Sequence, residues 1–160
     1  AALGPDFIRI YPLLAIAGSP LEQMYLKGTY TPHGIDEAVD LVKKMVTVFR
    51  THQIDVIRMG LQASDMMCDG KSLIAGPWHP AFGHLVYSSL FCDDVIAQIR
   101  SNQILMEARR LMLRIHPRSE SRMRGDKNSN LDRLGLEFPD KTFTIIRDDK
   151  VNQANVMVER

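Results

Sequence analysis

A chain of 160 residues makes one large domain or two small ones, and on folding buries about 70% of the surface its unfolded form exposes. Hydrophobic residues at 45% and charged residues at 24% are ordinary for a globular chain. The longest apolar run, Leu13 to Ala17, falls far short of the roughly 18 residues a membrane span needs, so no membrane partner is expected. Two cysteines, Cys68 and Cys92, exclude a disulfide-dense scaffold and any four-cysteine metal or iron–sulfur site within this chain. They also predict a reducing, cytoplasmic setting. No basic segment followed by an apolar one marks a signal peptide. A start at Ala1 instead of Met is what a processed or excised piece would show.

Residues 7–16 read as one buried strand, rich in β-branched and aromatic residues and closed by Gly18-Ser19-Pro20. Ser19 as N-cap and Pro20 at the first helical position predict a short helix over residues 21–26. Ile35, Val39, Val42, Val46 and Phe49 recur at three- and four-residue steps, which predicts a helix with one buried face. Asp36 and Glu37 in its first turn and Arg50 in its last complement the helix dipole. A strand follows over residues 56–61, and strand, helix, strand without a hairpin signal predicts a parallel βαβ unit. Residues 70–80 form a Gly/Pro loop, and a domain boundary is expected at residues 68–77. Beyond it come a helix over residues 82–99 with Leu85, Leu90, Val95, Ile96 and Ile99 as its core face, ended by Asn102, and a strand over 111–115. Short helices over 119–123 and 130–136 then flank a basic loop, before strands over 142–146 and 154–158.

Net charge is +1, unevenly placed: residues 1–100 carry eight Lys/Arg against ten Asp/Glu, residues 101–160 twelve against nine. Arg109, Arg110, Arg114, Arg118, Arg122, Arg124 and Lys127 form a basic stripe opposed only by Glu120 and Asp126. An anionic partner and a solvated face are both open readings of it.

Arg9-Ile10-Tyr11-Pro12, then Ala17-Gly18-Ser19-Pro20-Leu21-Glu22, then Tyr25, Gly28 and Tyr30-Thr31-Pro32 form an ordered string. It resembles the distal part of radical SAM proteins related to the Elongator catalytic subunit, whose bacterial branch is labelled oxygen-independent coproporphyrinogen III oxidase-like. Glu37-Ala38, Arg58-Met59-Gly60-Leu61-Gln62 and Ala75 through Gly83 continue the likeness, which covers residues 8–90 well and the remainder loosely. The resemblance implies a partial (βα) barrel that binds a 4Fe-4S cluster and S-adenosylmethionine and cleaves the latter reductively. The family's CxxxCxxC motif is absent here, because Cys68 and Cys92 stand 24 residues apart. The Gly-rich segment that meets the methionyl group is absent too. The resemblance therefore makes this chain a C-terminal portion, inert alone, with both cofactors in the full-length parent and none here. Its first partner is then the missing N-terminal barrel of the same polypeptide, and the isolated piece is expected to self-associate through exposed strand edges.

Arg9, Tyr11 and Arg58 lie near the C-terminal ends of the two parallel strands, where α/β architectures gather ligands. They face substrate or cofactor, or they are paired or snorkelled charges at a strand edge. His79 and His84 are five apart, which on a helix turns the second ring by about 140° from the first, so a shared metal is disfavoured. Cys68, Cys92 and the methionines, Met66-Met67 included, read as core filling. The C-terminal order strand, helix, basic Gly loop, helix, strand, strand resembles the KH core, where a G-x-x-G loop clamps a nucleic-acid backbone. Here the loop is Gly125-Asp126-Lys127-Asn128, without the second glycine. Arg122, Arg124, Gly125, Lys127 and Asn128 are the predicted RNA-binding residues, tRNA being the partner considered first; a plain α+β appendage with a charged loop is the alternative.

The expectation is a mixed α/β chain: residues 1–70 a βαβ remnant of a partial barrel, residues 71–160 a small KH-like α+β domain. A standalone nucleic-acid-binding or protein-interaction module without chemistry is the competing function, and a substrate domain for porphyrinogen oxidation, with Arg9 and Arg58 on carboxylates, a third.

Overall fold

The computed structural model describes residues 3–61 and 72–160; Cys68, Met66 and Met67 lie outside the described residues. The fold is mixed α/β, and the chain divides into two compact units, Ala1–Val86 and Tyr87–Arg160. No helix among the described residues is long and apolar enough to cross a membrane.

In the first unit, β1 (Phe7–Ile10) pairs in parallel with β3 (Asp55–Met59), as a βαβ unit requires. The long buried strand expected over residues 7–16 is corrected. β1 stops at Ile10, and a separate β2 (Ala15–Ile16) pairs antiparallel with β4 (Leu73–Ala75) inside the expected loop. Pro12 has no N–H to carry a ladder onward, which is the local reason for the break. Phe7 and Arg9 are exposed while Ile10 is buried, so β1 is covered on one side only.

Between the parallel strands stand α1 (Pro20–Leu26) and α2 (Ile35–Thr51). Ser19 Oγ accepts from the Glu22 N–H at 3.2 Å, which meets one of the orphan donors of the first turn. In α2 the Glu37 carboxylate accepts from the Gly34 N–H at 2.9 Å. Its inward residues are Ala38, Val39, Val42 and Val46, the spacing of one helical face. β3 ends where Gly60 takes φ +74°, and a Cβ there would stand 2.8 Å from the Phe82 Cβ.

In the second unit, β5 (Arg110–Ile115) is the middle strand of three, parallel to β6 (Thr142–Arg147) and antiparallel to β7 (Val156–Glu159). Leu111, Leu113 and Ile115 point inward and Met112 and Arg114 outward, the two-residue alternation of a half-covered strand. The inward side packs with Phe91, Cys92, Val95 and Ile99 of α3 (Phe82–Ser101) and with Met123, Leu134 and Phe138. Of the expected core face of α3, Val95, Ile96 and Ile99 are buried, whereas Leu85 and Leu90 are half-buried and Phe91 and Cys92 join the interior in their place. Asn102 does more than end α3. Its Oδ1 accepts from the N–H of Ile104 at 2.9 Å and of Leu105 at 3.4 Å, capping a further helix, α4 (Gln103–Glu107). The methionines are mixed: Met123 is fully buried, but Met24, Met45, Met106 and Met157 are exposed.

After β5 come a 3-10 turn (Pro117–Ser119), α5 (Glu120–Arg124), a second 3-10 turn (Asp126–Asn128) and α6 (Ser129–Glu137). Buried Lys141 donates through Nζ to the carbonyls of Met106 at 2.5 Å and Ala108 at 3.0 Å, closing the C-terminal end of α4.

Candidate functional site

Arg9 and Arg58 are direct partners across the parallel β1–β3 pair, brought level by an irregularity between Ile8 and Arg9. Both are exposed, so two arginines stand level on neighbouring strands near the strands' C-terminal ends. Tyr11 goes elsewhere. It lines an apolar cavity of about 310 Å³ with Leu13, Tyr30, His33 and the α2 residues Leu41 and Met45, and neither arginine is among the described lining. His79 Nδ1 accepts from the Ala81 N–H at 3.1 Å, the role of a turn residue. Among the described residues no group of three His, Cys, Asp or Glu is placed to hold a metal ion.

The second candidate is the loop between α5 and α6. Gly125 has φ +75° and ψ 177°, a conformation essentially confined to glycine. Lys127 (φ 51°, ψ 34°) and Asn128 (φ 67°, ψ 18°) are both left-handed. Asn takes that state readily, but a long side chain such as Lys does so at a cost of about 1–2 kcal/mol. Asn128 precedes α6 without giving it a side-chain cap, so the first-turn N–H groups of a nine-residue helix have no capping oxygen from it. Lys127 is exposed at the tip.

The other predicted phosphate ligands are occupied. Arg124 donates from Nε to Glu120 at 3.0 Å and from Nη1 to the Asn128 Oδ1 at 3.4 Å. Arg122 lies over the rings of Tyr87 and Phe91, at 5.8 and 5.9 Å, and donates to the Gln153 carbonyl at 3.2 Å. Arg114, from the same stripe, is held by Glu159 at 2.8 Å and Asp148 at 3.4 Å. Of the predicted loop cations, Lys127 alone is left open among the described residues, with Arg124 holding Asn128 from behind.

What sequence reasoning missed is the support under the loop. Asn130 is buried, and its Nδ2 donates to the Ser88 carbonyl at 2.9 Å, the Ser88 Oγ at 3.0 Å and the Arg122 carbonyl at 3.0 Å. Nothing local marks Asn130; it reads as an ordinary residue of a helical first turn.

Glu120 ties this region to the sheet, accepting from Arg124 and, at 2.6 Å, from Arg147 Nε. Those two hydrogen bonds, Arg124's first, hold its carboxyl below the usual carboxylate range. Glu159 is lowered likewise, chiefly by its hydrogen bond from Arg114. A carboxyl lowered in the folded state stabilises fully above its unfolded pKa of about 4.3 and stops doing so as pH falls through the folded value. The second unit's urea midpoint should therefore drop as pH is lowered from about 5 toward 3. Glu120→Gln should flatten that slope; an unchanged slope would mean that the Arg124–Glu120–Arg147 group is not maintained in solution.

Against known proteins, residues 5–91 match the family model of the radical SAM C-terminal domain. That is more than half of the 160 residues. The chain belongs to this family. Neither a curated relative nor a solved structure matches it. Membership in the radical SAM C-terminal domain family implies S-adenosylmethionine and a 4Fe-4S cluster in a full-length radical SAM parent. The residues of this chain do not fit that cluster. Cluster iron needs several thiolates, and of the two cysteines Cys92 is fully buried, its Sγ 3.8 Å from the Asn130 carbonyl. In this radical SAM C-terminal domain the first unit carries the paired Arg9 and Arg58, and its described residues include no cysteine.

Proposed function

We propose that this chain is the C-terminal portion of a radical SAM protein of the branch related to the Elongator catalytic subunit, that the parent acts on RNA, tRNA foremost, and that the second unit grips the RNA backbone at the Gly125 loop. One observation carries the reading. The consecutive left-handed residues Lys127 and Asn128 let a non-glycine loop make the tight turn for which a G-x-x-G loop uses its second glycine. The turn brings the N-terminus of α6, which has no side-chain cap and whose Ser129 N–H meets the Asp126 carbonyl, together with the open Lys127 ammonium to one exposed tip. Strand–helix–loop–helix–strand order around β5 and β6, and backbone strain kept at the exposed residues Lys127 and Asn128, both support this assignment. Arg9 and Arg58 then serve an anionic part of the parent's substrate, and the parent works in the cytoplasm.

Fluorescence anisotropy with unfractionated tRNA tests the grip. Affinity should fall steeply between about 50 and 200 mM salt as counterions compete. Lys127→Ala should weaken binding and lower the salt slope by about one. Lys127→Gly separates charge from shape, because glycine adopts the left-handed turn freely; it should lose as much affinity as the alanine variant without loss of stability. Absence of binding at low salt would make the loop a solvated surface and overturn the reading.

A further inference from the structure

Five arginines of the second unit, Arg100, Arg114, Arg124, Arg133 and Arg147, each reach a carboxylate. Arg109, Arg110 and Arg160 do not, among the described residues, and these three line one open cleft of about 690 Å³. The fold brings them together from distant places in sequence. α4 ends at Glu107 and β5 begins at Arg110. The antiparallel register sets Glu159 opposite Met112, so the residue after β7, Arg160, lies beside the start of β5.

Glu107 is the one acidic side chain in the described lining, and its Oε1 accepts from Gln103 Nε2 at 2.8 Å; the α-carboxylate of Arg160 adds a second negative charge, which leaves the three guanidinium groups in excess. The rest of that lining is Ile104 and Ala108, apolar walls that concentrate the field of the three charges. The backbone carrying them is fixed. The Arg109 carbonyl accepts from the Thr142 N–H at 2.8 Å and Oγ1 at 3.3 Å, and Lys141 holds the Ala108 carbonyl. A guanidinium is weakly hydrated and its planar fork matches phosphate and carboxylate oxygens two at a time. The cleft is within the size range of small-molecule sites, roughly 300–1,000 Å³, and too large for one isolated oxyanion.

We propose that this cleft binds a compact polyanion, a small molecule bearing two or more phosphate or carboxylate groups. Such a ligand neutralises three like charges that the fold places around one space and leaves without acid partners of their own. Isothermal titration of the full chain at low salt, with tripolyphosphate in one arm and citrate in the other, tests it. Saturable binding at one site is expected, and the tighter of the two probes identifies the oxyanion class. The double variant Arg109→Ala/Arg110→Ala should weaken it at least about tenfold. The double Arg→Lys variant keeps both charges and the fold but loses the fork geometry, and should also bind several-fold more weakly. Lys127→Ala, in the Gly125 loop, should leave it unchanged. No saturable binding by either probe, binding indifferent to both double variants, or binding of RNA but neither small polyanion would each overturn the proposal.

Discussion

Gly125→Ala should destabilise the second unit by about 3 kcal/mol, near the top of the range for forcing a side chain into a glycine-only backbone state. Two effects combine. Gly125 holds φ +75° and ψ 177°, which an L side chain adopts only under strain. A Cβ added there would also stand 2.5 Å from the Ser129 Oγ, 3.0 Å from the Asn130 backbone N and 3.1 Å from the Asn130 Cγ. The serine hydroxyl is the end of an exposed side chain and can turn away. Asn130 cannot, since its amide is held by three hydrogen bonds and its backbone begins α6. A loss of this size in a unit of fewer than a hundred residues corresponds to a fall in melting temperature on the order of 15 °C. Urea unfolding of the variant measures it directly. A loss below about 1 kcal/mol would mean that the loop relaxes into another conformation, and the left-handed turn at Lys127 and Asn128 would lose its anchor.

Elements set by a periodic pattern were legible from residues alone. The three- and four-residue spacing in α2 identified Val39, Val42 and Val46 as buried, and alternation in β5 fits its single covered face. The Ser19 cap was legible because the hydroxyl acts on its own first turn. β2 and β4 were not: two or three residues carry no period, and their pairing joins segments nearly sixty positions apart. The basic stripe misled for a related reason. Of its seven cations Arg110 and Arg114 sit on the outward face of β5, while Arg118, Arg122, Arg124 and Lys127 are carried on through the two 3-10 turns and α5, so contiguity did not survive folding. Arg114 was taken by Glu159 and Asp148, Arg124 by Glu120, and Arg122 by two aromatic rings. Arg9 and Arg58 came out level only through a bulge that no sequence rule foresaw. Arg160 could not be grouped with Arg109 and Arg110 before the register of β7 was known.

The same long-range dependence governs Asn130, and Asn130→Ala should cost about 3 kcal/mol. α5 is five residues long, so its last carbonyls have no partner further along the helix. The Arg122 carbonyl is one of them. It accepts from Asn130 Nδ2 at 3.0 Å and from Ser88 Oγ at 2.8 Å, two side chains 42 positions apart. Removing Asn130 takes away those bonds and leaves a small void, while Ser88 still satisfies the carbonyl. Ser88→Ala alone is milder, about 1–2 kcal/mol, because Asn130 remains. The double variant decides between two opposed effects. Asn130 and Ser88 also bond each other, at 3.0 Å; this bond, worth about 1 kcal/mol, is counted in both single variants and pulls the double below their sum. Leaving the part-buried Arg122 carbonyl with no donor costs about 1–3 kcal/mol and pushes it above. The second is the larger, so the double should exceed the sum by about 1 kcal/mol in urea unfolding. An additive or smaller loss would mean that water reaches the carbonyl. The point bears on function because Arg122 stands three residues before Gly125: a carbonyl fixed by two side chains sets where α5 stops, and with it where the Lys127 tip begins.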